Sequence, residues 1–203
     1  MHGLTLALSH RDLKSRHILL NDQFTAKLSD LGHARNRPRT DLMAGPVFGS
    51  GRWMAPELLT STARASVDGA AADVYSFGVL LVELDSHDLP YAHVLEDNPD
   101  MTETTLHRMI VDRQVKPEID AATTSCPLRI QQLVMQCTTY EPEDRPSMAD
   151  VVVQLREIAR SQLLTRLDTI ESAILQSQSQ RSLQFFAYDS DTEEKQSEGR
   201  RSF

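Results

Sequence analysis

Residues 73–84, Asp73-Val-Tyr-Ser-Phe-Gly-Val-Leu-Leu-Val-Glu-Leu84, carry apolar or small side chains on nearly every face of a helix. A helix that is apolar all round belongs inside a protein, not on its surface. The segment falls well short of the ~20 apolar residues that cross a bilayer, and Glu83 interrupts its longest apolar run, Val79-Leu80-Leu81-Val82. It therefore predicts the central post of an α-rich domain, with other helices packed around it.

Those neighbours are readable downstream. Thr102 to about Val111 is a short helix, and Leu128–Cys137 places Leu128, Ile130, Leu133, Val134 and Cys137 mostly on one side. Ser147-Met-Ala-Asp150 has the form of a capping box, a hydroxyl at the N-cap and an acid three residues on. It opens a helix through Val151, Val152, Leu155 and Ile158. The spacing Leu163, Leu167, Ile170, Ile174 continues it as a two-heptad stripe, which predicts packing back on the same domain in preference to a dimer seam. Upstream, His17–Leu20 and Phe24–Leu28 are β-prone runs separated by Asn21-Asp22-Gln23, the pattern of a hairpin. From Gly32 to Gly51 the Gly and Pro content and the lack of periodicity predict loop.

The 203 residues suffice for one hydrophobic core and a tail. The net charge of −8 argues against broad electrostatic binding to nucleic acid or anionic membrane. That charge is unevenly spread. Residues 1–52 hold eight basic and four acidic side chains, whereas 53–160 hold eight basic and eighteen acidic. The stretch Glu83, Asp85, Asp88, Glu96, Asp97, Asp100, Glu103 contains no Lys or Arg and offers either a solvated face or a surface for a basic partner. Cys126 and Cys137 match no disulfide framework or metal spacing. Leu4–Leu8 is too short for a signal-peptide core, so a reducing, cytoplasmic home is expected. Composition changes after Leu175 to Gln/Ser-rich and then acidic sequence. We expect a folded part at 1–160, a helical extension at 161–176 and a disordered tail at 177–203.

Chemistry-bearing residues occur in a particular order. His10-Arg11-Asp12-Leu13-Lys14 is followed by the predicted hairpin, then by Asp30-Leu31-Gly32 and Ala55-Pro56-Glu57. This series resembles the catalytic loop, metal-binding tripeptide and activation-segment end of protein kinases. The likeness extends through Gly49–Glu57, Asp73–Gly78 and Arg145-Pro146-Ser147-Met148, about residues 9–160, and is closest to the tyrosine-kinase-like group of Ser/Thr kinases. The fold it implies is mainly α, a kinase-like C-terminal lobe with a small β-hairpin.

By that resemblance Asp12 orients the substrate hydroxyl, Lys14 faces the transferring phosphoryl group, and Asp30 holds Mg²⁺ on ATP. Ser50 stands where the family has a hydroxyl that bonds the Asp12–Lys14 pair. Glu57 and Arg145 match an ion pair that anchors the activation segment, and Asp73 an acid that holds the catalytic-loop backbone. Arg11 matches an arginine that pairs with an activation-segment phosphate, for which Thr40 is the candidate. Partners are then a protein substrate or a regulatory protein.

Two departures bear on activity. His17 stands where the family places Asn as a second metal ligand, and imidazole is a poor partner for Mg²⁺, which prefers oxygen; weakened metal binding is expected. The spacing of His10, His17 and His33 matches no zinc motif. No Gly-x-Gly-x-x-Gly occurs in the sequence, and the nine residues before His10 reach only about 30 Å fully extended. The resemblance accordingly predicts a C-lobe portion, with the Gly-rich loop, the β3 Lys and the N-terminal β lobe absent, and inactive alone. A non-catalytic, pseudokinase-like binding module is the competing expectation.

Overall fold

A computed structural model describes residues 8–36, 51–60, 68–120 and 124–172. The chain divides into two compact units, Met1–Leu155 and Arg156–Phe203. Among the described residues of the first, helices dominate and strands are confined to two small antiparallel pairs.

The central helix, α2, spans Gly69–Ser86. It starts four residues before the apolar run, because Asp68 caps it: the Asp68 carboxylate accepts from the amides of Ala70 (2.9 Å) and Ala71 (3.4 Å). The Gly-Ala-Ala-Ala turn that follows carries too little hydrophobic signal to announce itself. Two cores form on opposite sides of α2. Tyr75 and Val79 pack with Trp53, Ala55 and Ala72, while Val74 packs with Leu133, Cys137 and Val151. This two-sided burial explains why the helix shows almost no amphipathic pattern.

A short helix, α1 (Pro56–Leu59), precedes α2; α3 (Ala92–Glu96), α4 (Glu103–Val111) and α5 (Leu128–Cys137) follow it. Thr102 caps α4 by accepting from Thr105 N–H, and Tyr91, Leu106 and Ile110 make a third core. On α5, Leu133, Val134 and Cys137 are buried but Leu128 is exposed, so the inward face is narrower than the sequence suggested. Helix α6 is described over 148–172. Its start is a reciprocal capping box, with Asp150 N–H donating to Ser147 Oγ and Ser147 N–H to Asp150 Oδ2, both 3.2 Å. Within the second unit, Leu163, Leu167 and Ile170 are exposed, whereas packing was expected of them. Among the described residues no helix is long and apolar enough to cross a membrane.

The predicted hairpin is present: β2 (Ile18–Leu20) pairs with β3 (Ala26–Leu28) in the register Ile18↔Leu28, Leu19↔Lys27, Leu20↔Ala26. Asn21 shapes the turn through its side-chain oxygen, which accepts from Gln23 and Thr25 amides. The other pair corrects the expectation of continuous loop after Gly32. A 3-10 turn runs over Leu31–His33, and β4 (Arg35–Asn36) pairs with β1 (Leu8–Ser9). A two-residue strand has no periodicity to read, and its pairing is made by a partner 26 residues upstream in the register Ser9↔Arg35. The β1–β4 pair closes residues 10–34 into a loop, and the β2–β3 hairpin lies inside it.

Candidate active site

Asp73, in the second turn of α2, organises this loop. Its carboxylate accepts from the backbone N–H of His10 (2.7 Å) and of Arg11 (2.8 Å). The clamp holds Arg11 at φ 67°, a left-handed conformation that costs a bulky residue about 1–3 kcal/mol and survives only where its surroundings enforce it. His10 is almost fully buried. Its Nε2 faces the Ser29 carbonyl at 3.0 Å, an atom that only accepts, so Nε2 carries the proton and Nδ1 accepts from Asp12 N–H at 3.3 Å. Backbone and imidazole thus deliver Asp12 into a pocket where the residue is 8% exposed.

Lys14 Nζ lies 3.2 Å from both carboxylate oxygens of Asp12. On the other side of Asp12, His17 Nδ1 donates to the Asp12 carbonyl (2.8 Å), and His17 Nε2 lies 3.3 Å from Asp30 Oδ2. Ser29 ties the hairpin base to the loop by donating to the His17 carbonyl from its amide (2.9 Å) and its hydroxyl (3.1 Å). Asp30 follows in the left-handed region, φ 56° and ψ 61°, which places its half-exposed carboxylate beside His17. Ligand-capable atoms of Asp12, His17 and Asp30 all lie within 4.8 Å of one another.

Of the scaffold residues named from sequence, Glu57 and Arg145 are brought together. Arg145 donates to Glu57 through Nη1 (2.7 Å) and Nη2 (2.9 Å), with its side chain fully buried. Its remaining donors go to the carbonyls of Thr139, Tyr140 and Ala71, so all five N–H groups are used. The guanidinium lies 5.0 Å from the centroid of the Tyr75 ring, whose phenol is pushed up to about 12 by burial. Ser50 and Thr40 lie outside the described residues, as do the side chains of His33 and Arg35.

Glu83 was visible in the sequence only as a break in an apolar run. In the structure it accepts from Ser15 Oγ (2.5 Å), from Ser15 N–H (3.3 Å) and from Trp53 Nε1 (2.9 Å), joining the loop to the segment before α1. A carboxylate inside a buried helix was the signal for such a role, because a buried charge needs partners. The acidic stretch that begins there is partly consumed internally. Asp85 accepts from Thr124 Oγ1 (2.6 Å) and Glu103 pairs with Arg52 (2.5 Å).

This arrangement joins a carboxylate and an ammonium in one buried pocket, with a second, solvent-reaching carboxylate beside it. It can orient a hydroxyl, balance negative charge and offer oxygen to a cation. Residues 1–155 match the protein kinase domain family. Among curated proteins the chain is similar to serine/threonine-protein kinase CTR1 of Arabidopsis thaliana, 31% identical over 79% of this chain and 18% of that protein. It is likewise similar to serine/threonine-protein kinase BIK1 of the same plant, 32% identical over 78% of this chain and 41% of that protein. Dual specificity protein kinase shkD of Dictyostelium discoideum is 27% identical over 78% of this chain and 19% of its own length. The chain thus spans less than half the length of these curated relatives. With three quarters of the sequence matching its domain, the chain belongs to the protein kinase family.

Proposed function

We propose that this chain carries the hydroxyl-activating half of a protein Ser/Thr kinase site, with Asp12 as the carboxylate that orients a substrate Ser or Thr hydroxyl and accepts its proton. The observation that carries the reading is the Asp12–Lys14 pair, buried and held by the Asp73 clamp. The Asp12 carboxylate, held by Lys14 through both oxygens, is placed to accept a hydrogen bond from a substrate hydroxyl, and Lys14 to balance charge on a phosphoryl group. Mg²⁺ on ATP supplies charge neutralisation at the phosphates when bound. The carboxylate of Asp30, half exposed and beside Asp12, fits one oxygen-bound Mg²⁺; His17 does not fit a second, because it presents nitrogen. Glu57, Arg145 and Asp73 serve the scaffold, and Arg11 and Ser50 the activation segment. The partner is a protein, as substrate or as regulator.

The 203 residues as given contain no Gly-rich phosphate loop, so this chain purified alone transfers phosphate weakly or not at all. A fusion that supplies a kinase N-lobe tests the assignment. Phosphate transfer to a generic Ser/Thr protein substrate is expected from the fusion, and Asp12→Asn is expected to lower it by about 10²-fold or more. Undiminished transfer by Asp12→Asn would sink the role given to Asp12.

A second reading, a pseudokinase-like binding module, is favoured by one observation: the His17 ring lies against both Asp12 and Asp30. In the same fusion, activity that appears only with His17→Asn supports that reading, while equal activity with His17 supports the enzyme.

A further inference from the structure

We propose that the carboxyl-terminal half of α6 is a self-association surface, whose occupant is the same helix of a second copy of this chain, parallel and in register. Every residue from 159 to 172 is exposed, so this stretch of helix is uncovered. It nevertheless carries an apolar stripe: Leu163, Leu167 and Ile170, each more than half exposed, and Ile174 at the next step of the same spacing. At about 100° per residue these four positions fall within an arc of about 60°. Thr165, Thr169 and Ser172 lie on the opposite side, where each hydroxyl donates to the carbonyl four residues back, at 3.0, 2.8 and 2.8 Å. Such bonds weaken a helix slightly, and an unpacked helical stretch of this length is marginal in water. The stripe, more than local propensity, has to stabilise it, and an apolar stripe does so only against a partner.

Two features select a second copy as that partner. The steps from Leu163 to Leu167, Ile170 and Ile174 alternate four, three and four, the d-a-d-a seam of a coiled coil, which is complementary to itself. Arg166 and Glu171 flank this seam, both exposed, about 70° to either side of its centre. They occupy g and e positions five residues apart, the offset at which g of one strand meets e of its parallel neighbour. In a parallel, in-register pair each Arg166 therefore faces Glu171 of the other copy, giving two opposite-charge contacts. Antiparallel pairing matches g with g and e with e, which keeps Arg166 and Glu171 apart. Upstream, Arg160 and Arg156 occupy the next two seam positions, so apolar contact begins at Leu163 and the association is weak and reversible. The net charge of −8 per chain opposes association in bulk, which leaves the local pair to set the orientation.

The test is sedimentation equilibrium of the 203-residue chain over a wide range of concentration. Reversible association is expected, weakened about a hundredfold or more by Leu167→Asp, which puts a charge into the seam of both copies. Arg166→Glu or Glu171→Arg alone sets like charges across the seam and is expected to weaken it about fivefold. An equimolar mixture of Arg166→Glu with Glu171→Arg is expected to associate as tightly as the wild type, although both chains remain acidic overall, and the double variant likewise. A monomer at every concentration overturns the proposal and leaves the stripe to another segment of this chain or to a different protein. Association that is indifferent to Leu167→Asp, or abolished by Leu20→Ser with Phe24→Ser, moves the contact away from α6 and overturns it as well. A mixture that associates no more tightly than its two components overturns the parallel register.

Discussion

Arg145 shows how much one side chain contributes when it is buried and fully paired. Its guanidinium reaches Glu57, 88 residues away in sequence, and three carbonyls besides. Removing a buried ion's partner leaves an uncompensated charge, typically about 3–5 kcal/mol destabilising. Arg145→Leu strands Glu57 and the three carbonyls, so a loss at the upper end of that range is expected in chemical denaturation. Glu57→Leu combined with Arg145→Leu should recover part of it, and a double variant no better than Arg145→Leu would contradict the pairing account. Both residues were legible in the sequence because each lies in a short ordered motif. The contact of His17 with Asp30 was not, since it depends on a hairpin closing residues 18–28 and on Asp30 adopting positive φ. Spacing along the chain carries no record of that approach.

At the level of elements, the crossing of α2 and α5 turns on Gly78. A Cβ added there would lie 2.7 Å from Thr138 Cγ2 and 2.8 Å from Cys137 Cβ, both atoms held close to the α5 backbone. The usual helix-propensity gain of Gly→Ala, about 1 kcal/mol, is therefore set against overpacking of about 1–3 kcal/mol. Gly78→Ala is expected to destabilise the chain by up to about 2 kcal/mol in denaturant titration, and Gly78→Val by more; a stabilised Gly78→Ala would show that the helices can separate at no cost. The existence of α2, α4 and α5 was readable because periodicity or continuous apolarity marks them. The start of α2 and the whole of β4 were not. One depends on a capping carboxylate ahead of a bland alanine turn, the other on a two-residue pairing with β1.

For the whole molecule, the sequence divides its charge between residues 1–52, net +4, and residues 53–160, net −10. The acidic body is less available than a count suggests, since Glu83, Asp85 and Glu103 are bonded internally. Apolar surface is the more distinctive global property. On and beside the hairpin, Leu19, Leu20, Phe24, Leu28 and Leu31 are all exposed, Phe24 by 85%. Single exposed leucines are ordinary, but several on the two faces and flank of one small hairpin leave apolar surface of the kind that binds apolar ligands or other chains. The 203-residue chain is therefore expected to bind a fluorescent apolar-surface dye under native conditions. Leu20→Ser with Phe24→Ser should reduce that signal severalfold while leaving the denaturation midpoint nearly unchanged, because neither side chain is buried in the fold. A dye signal that persists in the double variant would place the sticky surface elsewhere, and a large drop in stability would show that the hairpin's apolar face is already supporting the core.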